Sequence, residues 1–202
     1  MYSLRIAKSQ RILAILFSGI LLSSCGYNEI QRKDEAVKAS WAQVLNVYQR
    51  RADLIPNLVK VVKAYAKHEK DVFVQVTNAR SQIGGIKMTP EMLENPAAFA
   101  QFQKAQSSMS SALSRLMLVV ENYPDLKANQ NFRDLQAQLE GTENRIAVER
   151  RRYIQAVQDY NVTIRTFPNL ITAQIFGYVA KPTFEPDNVE EVKKVPEVNF
   201  DE

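Results

Sequence analysis

Cysteine and histidine are almost missing from this chain. One cysteine, Cys25, and one histidine, His68, stand among 202 residues. An internal disulfide and a cysteine-built zinc or iron–sulfur site are therefore excluded. So is the di-iron pattern of helical bundles, which needs two Glu-x-x-His pairs. Glycine is sparse as well, at six residues, which leans toward helix. An excess of one charge is absent from most of the chain. Residues 1–24 contain Arg5, Lys8 and Arg11 and no acid, so the remainder holds 23 of the 26 bases against all 22 acids. The basic pI thus reflects the N-terminal segment and does not argue for a nucleic-acid partner.

The N-terminal segment reads as an address. A basic start is followed by an uncharged, largely apolar run from Ile12 to Leu22, then by Ser23, Ser24 and Cys25. Basic, apolar and small-residue regions in that order make a secretory signal peptide. The run covers eleven positions, short of the roughly 20 that a spanning helix needs. Leu22-Ser23-Ser24-Cys25 resembles the lipobox of bacterial lipoproteins, in which the thiol is acylated and the chain is cut before it. The expected mature chain is held to the bilayer by acyl chains on Cys25, including palmitate, and more than one chain gives stable anchoring. By resemblance to the lipoproteins of two-membrane bacteria, Gly26 in place of aspartate implies the outer membrane, on the periplasmic side. The alternative is an uncleaved N-terminal helix in the inner membrane.

From Tyr27 onward, apolar residues recur at steps of three and four. The runs are Tyr27, Ile30, Val37, Trp41, Val44, Tyr48; Leu58, Val62, Tyr65, Val72, Val76; Phe99, Phe102, Met109, Leu113, Leu116; and Phe132, Leu135, Leu139, Ile146, Tyr153, Tyr160. Such steps place side chains on one stripe of a helix, and repeating sevens keep the stripe straight, as in coiled-coil-like bundles. The punctuation predicts a helix start at Asp53 with Pro56 in its first turn, a break at Gly84-Gly85, and a start at Asn95-Pro96. A last long helix is predicted from about Asn129 to Thr166, then a short one ended by Gly177. The expected fold is all-α: a long antiparallel four-helix bundle, up-down-up-down, with a 12–15 residue loop between its second and third helices. The expected organisation is a signal peptide over 1–24, a bundle over 25–180, and an extended or disordered tail over 181–202.

Several strings resemble the LemA family. Residues 50–58 (RRADLIPNL) match its RRxDLIPNL signature, and residues 64–69 (AYAKHE) continue it. Residues 123–129 (YPDLKAN), 139–146 (LEGTENRI), Tyr160-Asn161 and Phe167-Pro168-Asn169 look like its later blocks. The resemblance implies a membrane-attached bundle of long helices, usually held by an N-terminal hydrophobic segment, and no particular reaction. This chain departs from that pattern in carrying a lipobox cysteine.

Some polar residues fall in the stripes. Glu69, Gln106 and Glu149 are expected at similar depths and form a candidate polar layer that fixes helix register. A divalent metal or catalytic site on Glu69 and Glu149 is the sharper alternative, since buried carboxylates must be paired, protonated or metal-bound. His68 has no serine or cysteine motif to serve and reads as a surface residue. The Arg150-Arg151-Arg152 run reads as a solvated face. Arg50, Arg51, Asp53, Pro56 and Asn57 read as an inter-helix corner, or as a partner surface at one tip of the bundle. Without a catalytic set, the expected function is a non-enzymatic interaction or scaffold protein of the cell envelope, needing no cofactor and binding an envelope or membrane protein. A structural homo-oligomer at the membrane is the other alternative.

Overall fold

The computed structural model describes the backbone of residues 2–87 and 89–185, with side chains from Gly26 onward. The side chains of residues 2–25, where the signal peptide and lipobox are expected, including Leu22, Ser23, Ser24 and Cys25, and residues 186–202 of the expected tail lie outside the described residues. The fold is an all-α helical bundle, with six helices among the described residues: α1 Tyr2–Tyr65, α2 Lys70–Gly84, α3 Pro96–Val120, α4 Pro124–Ala128, α5 Gln130–Thr163 and α6 Asn169–Phe176. A 3-10 turn, Pro90–Glu94, precedes α3. Among the described residues no helix is long and apolar enough to cross a membrane.

The expected helix start at Asp53 is not there. α1 runs through it for 64 residues, with Pro56 inside. The reason is a stripe that never breaks: Ile30, Asp34, Val37, Trp41, Val44, Tyr48, Arg51, Ile55, Leu58 and Val62 are all buried at alternating steps of four and three. Pro56 lies on the exposed face. A proline in a helix interior costs roughly 3 kcal/mol, less than burying Ile55, Leu58 and Val62 returns at about 1.5–3 kcal/mol each. Asp53 caps nothing; its carboxylate accepts from Gln49 Nε2 at 2.8 Å. The helix ends instead at the polar run 67–71 (KHEKD).

The later boundaries follow the punctuation. The Asn95 side chain accepts from the backbone of Ala97 and Ala98, both at 3.1 Å, and Pro96 opens α3. The Asn129 side chain caps α5 through Phe132 N at 3.1 Å. Gly177, at φ 71°, ends α6 in the left-handed region that glycine tolerates best. The segment expected as a loop between α2 and α3 is partly ordered by the 3-10 turn, whose Met92 and Leu93 are buried.

Cross-links fix the directions. Lys33 pairs with Asp159, Arg51 with Glu143 and Tyr65 with Asn129, so α5 runs antiparallel to α1. Tyr123 reaches Glu69 and Arg115 reaches Gln75, so α3 runs antiparallel to α2. The short α2 covers only the half of the rod distal to the N-terminus. There Val62, Val76, Met109, Leu116 and Phe132 share one core. In the proximal half the 3-10 turn and the chain after α6 complete a second core around Trp41, Phe102 and Tyr153.

Candidate functional site

Arg51 marks the junction of the two cores. Its side chain is 2% exposed although it carries a full charge. Nη1 donates to Ser110 Oγ at 3.0 Å and to Glu143 Oε1 at 3.0 Å. Nη2 donates to the Gln106 side-chain oxygen and to its backbone carbonyl. The guanidinium also lies 5.0 Å from the Tyr48 ring centroid. A buried charge is tolerated only with such a set of partners. Gln106 is buried beside it, and among the described residues its Nε2 has no hydrogen-bond partner.

A second ionic group ties the C-terminal segment to the bundle. Lys181 is buried, and its ammonium lies 3.2 Å from Asp34 Oδ1 and 3.7 Å from Glu94. Lys38 meets Asp34 Oδ2 at 2.8 Å. Burial pushes the Asp34 carboxyl up, but the hydrogen bonds and positive charges of Lys38 and Lys181 together outweigh it and hold its pKa below the ordinary value. The hydrogen bond to Asp34 in turn raises that of Lys38. Beside them burial, aided by the Asp34 charge, pushes Tyr160 up to about 12.

From Lys181 the chain runs as an extended strap. Asn161 grips the Lys181 backbone in both directions, at 3.0 and 2.9 Å. Tyr153 Oη donates to the Pro182 carbonyl at 2.8 Å, and burial raises the pKa of that hydroxyl. Phe184 is buried between Phe99 and Tyr153, at centroid distances of 5.1 and 5.5 Å, under the Arg150 guanidinium at 4.5 Å. At Glu185 the Gln103 amide donates to the carbonyl at 2.7 Å and accepts from the N–H at 3.4 Å.

Glu185 sits at the mouth of a groove of about 670 Å³ between α2 and α3. Its walls are amides, hydroxyls and alanines, with Lys104 and Arg115 as the cations; Gln75, Gln82, Gln103 and Ser111 are representative. Side-chain amides that both donate and accept suit an extended backbone, and Gln103 already holds one in that way.

The LemA family profile matches residues 40–200. The chain belongs to the LemA family. Magnetosome protein MamQ 2 of Paramagnetospirillum magneticum is 27% identical over 175 residues, covering 79% of this chain and 64% of the relative. Magnetosome protein MamQ of Magnetospirillum gryphiswaldense is 26% identical over 171 residues, covering 75% and 62%. Protein LemA of Metamycoplasma hominis is 22% identical over 168 residues, covering 82% and 71%. The chain spans less than two thirds of the length of these magnetosome relatives.

Within this LemA-family fold the expected polar layer is not assembled. Gln106 is central, but Glu69 lies at the distal turn, where it accepts from Tyr123 Oη at 3.1 Å. Glu149 pairs with Arg152 at 2.8 Å. It lies 20 residues along α5 from Asn129, about 30 Å from the distal end. The three were expected at one depth because α2 was expected to begin at Asp53; it begins at Lys70, so Glu69 is not four turns in. A metal or catalytic site shared by Glu69 and Glu149 fails for the same reason. Among the described residues no group of three histidine, cysteine, aspartate or glutamate side chains could hold a metal ion.

The expected corner is corrected too. Arg50, Asp53, Pro56 and Asn57 lie on the exposed face of continuous α1, while Arg51 points into the centre. Arg51 takes the layer's place, joined by Ser110 and Glu143. Its signal was present: it stands three residues after Tyr48 and four before Ile55, in the stripe. Lys181 and Gln103 had no local signal, since their partners are distant in sequence. His68 is exposed, whereas Arg150 covers Phe184 and is not part of a freely solvated run.

Proposed function

We propose that the protein is a non-enzymatic scaffold of the cell envelope, tethered on the periplasmic side through acylated Cys25, that receives an extended segment of a partner protein in the α2–α3 groove. The observation that carries this reading is the grip of Gln103 on the Glu185 backbone at the groove's mouth. The groove continues from there with the same chemistry. Main-chain hydrogen bonds supply affinity for an extended peptide, and the cations Lys104 and Arg115 favour an acidic one. α1 supports the tether: from Gly26 to Tyr65 it spans 40 residues, about 60 Å, so the groove stands off the membrane on a stiff element. The family resemblance agrees, since it implies a membrane-attached bundle.

The test is crosslinking in intact cells with a photoreactive residue at Ser108 in the groove and, as reference, at Lys60 on another face. The expected result is one envelope protein captured from Ser108 and lost when Gln82→Trp fills the groove. Identical products from both sites would overturn the groove. Labelling with a palmitate analogue tests the tether, and a Cys25→Ala protein that still labels removes it.

A further inference from the structure

Residues 166–180 form a run of 15 positions without one Asp, Glu, Lys or Arg, in a chain that is 24% charged. α6 lies within it, and its burial is inverted. Asn169 and Thr172 face the protein with Ala173, while Leu170, Ile171, Ile175 and Phe176 face outward. Phe167, Ile175 and Phe176 are 80, 74 and 60% exposed, and Val179 joins them. A helix of a water-soluble surface buries its apolar side. One that buries asparagine and threonine and displays isoleucine and phenylalanine faces an apolar medium.

The position of α6 identifies that medium. It docks on α1 at Gly26, where an added Cβ would meet Asn169 Oδ1 at 2.7 Å. The Asn169 amide donates to Glu29 at 3.2 Å, and Tyr27 lies 5.1 Å from the Phe176 ring. Gly26 directly follows Cys25, the residue whose acyl chains form the proposed tether, so α6 docks at the level of the anchor. Aromatic and aliphatic side chains at the level where a chain leaves the hydrocarbon partition into the interface.

We infer that α6 and its flanks, Phe167 to Val179, are a lipid-contacting collar that seats the base of the bundle in the membrane interface. This rests on the tether proposed above and adds a second point of contact, which orients the rod rather than leaving it to swivel about an anchor.

The experiment uses the full chain in vesicles of phosphatidylethanolamine and phosphatidylglycerol, with and without brominated acyl chains as quencher. Phe176→Trp reports on the collar, Val74→Trp on exposed α2, and buried Trp41 is the internal baseline. Phe176→Trp is expected to lose most of its added emission to brominated lipid, while Val74→Trp keeps it. The loss should disappear when Ile171→Asp and Ile175→Asp are added, although the protein still floats with the vesicles. Helicity and melting temperature matching the parent establish that each variant is folded. Flotation without quenching at 176 overturns the collar and leaves the tether standing. If the unquenched protein also sediments as a dimer, the surface belongs to a second copy. Equal quenching at 176 and 74 means a rod lying flat, which also overturns the collar. Failure to float removes the tether and the collar together.

Discussion

Arg51 reaches Glu143 at 3.0 Å across the α1–α5 interface, and the two ends of this ion pair stand in different media: the arginine is 2% exposed and the carboxylate 41%. The Coulombic attraction is therefore screened at one end. The desolvation of the guanidinium is met instead by Gln106, Ser110 and the Tyr48 ring.

That asymmetry predicts unequal mutants. Glu143→Gln should cost under about 1 kcal/mol, the range of exposed pairs. Arg51→Ala should cost about 3 kcal/mol, because it opens a cavity and strips Gln106 of its partner. In a protein of this size each kcal/mol shifts Tm by about 2–4 °C, so thermal melts followed by circular dichroism separate the two. Equal losses would mean that the ion pair, not the buried network, is what matters.

Arg51 also shows how far the sequence could be read. The all-α class and the caps at Asn95, Asn129 and Gly177 were legible because they rest on local chemistry: 3–4 spacing, side-chain acceptors before a helix, and a residue that tolerates positive φ. The run through Pro56 was misread because proline was given more weight than the stripe crossing it. The turn at 66–69 was not legible, since it carries neither glycine nor proline and the spacing from Val62 to Val76 keeps its phase. The strap was beyond reach for another reason. Lys181, Phe184 and Glu185 sit in a segment of prolines and charges, and their partners, Asp34, Phe99 and Gln103, lie far back in the chain.

Pro56 itself is testable. It has no N–H to donate to the Ala52 carbonyl, and its ring lies on the exposed face, where it packs no core. Pro56→Ala restores the helical bond, worth up to about 3 kcal/mol. It also frees the unfolded chain, which returns about 1 kcal/mol of that. A net gain of about 1–2 kcal/mol in chemical denaturation is expected. A loss would mean that the fold requires the distortion proline introduces.

The strap should respond to pH at both extremes. Asp34 has a pKa held below its ordinary 3.8, so its contribution is complete above that value and is lost as pH falls through the lowered one. Tyr160 is pushed up from 10.0 to about 12, so its contribution is complete below pH 10 and is lost between there and about 12. Lys38, also raised, adds to the alkaline loss above 10.5. Stability should be flat near neutrality, with Asp34→Asn weakening the acid limb and Tyr160→Phe removing its share of the alkaline one, to which the buried Tyr153 hydroxyl on the strap also contributes. Urea melts across the pH range read both.

The contact of α6 with α1 depends on Gly26 having no side chain. Its ideal Cβ would lie 2.7 Å from Asn169 Oδ1 and 3.4 Å from Thr172 Oγ1, both on the face that α6 buries. Asn169 cannot swing away freely, because its amide is held by Glu29 and its own site is enclosed. Gly26→Ala therefore sets two effects against each other. Helix propensity favours alanine in α1 by about 1 kcal/mol, while the crowded contact opposes it by a similar amount, so global stability should hardly move. Gly26→Leu gains no more propensity than alanine and needs far more room, so α6 must lift. Hydrogen exchange on the full chain in detergent micelles should then show faster exchange at residues 170–176 with α5 unchanged. Protection retained at α6 would mean that the helix is held by its other contacts, Ala173 foremost, and that the glycine is not what admits it.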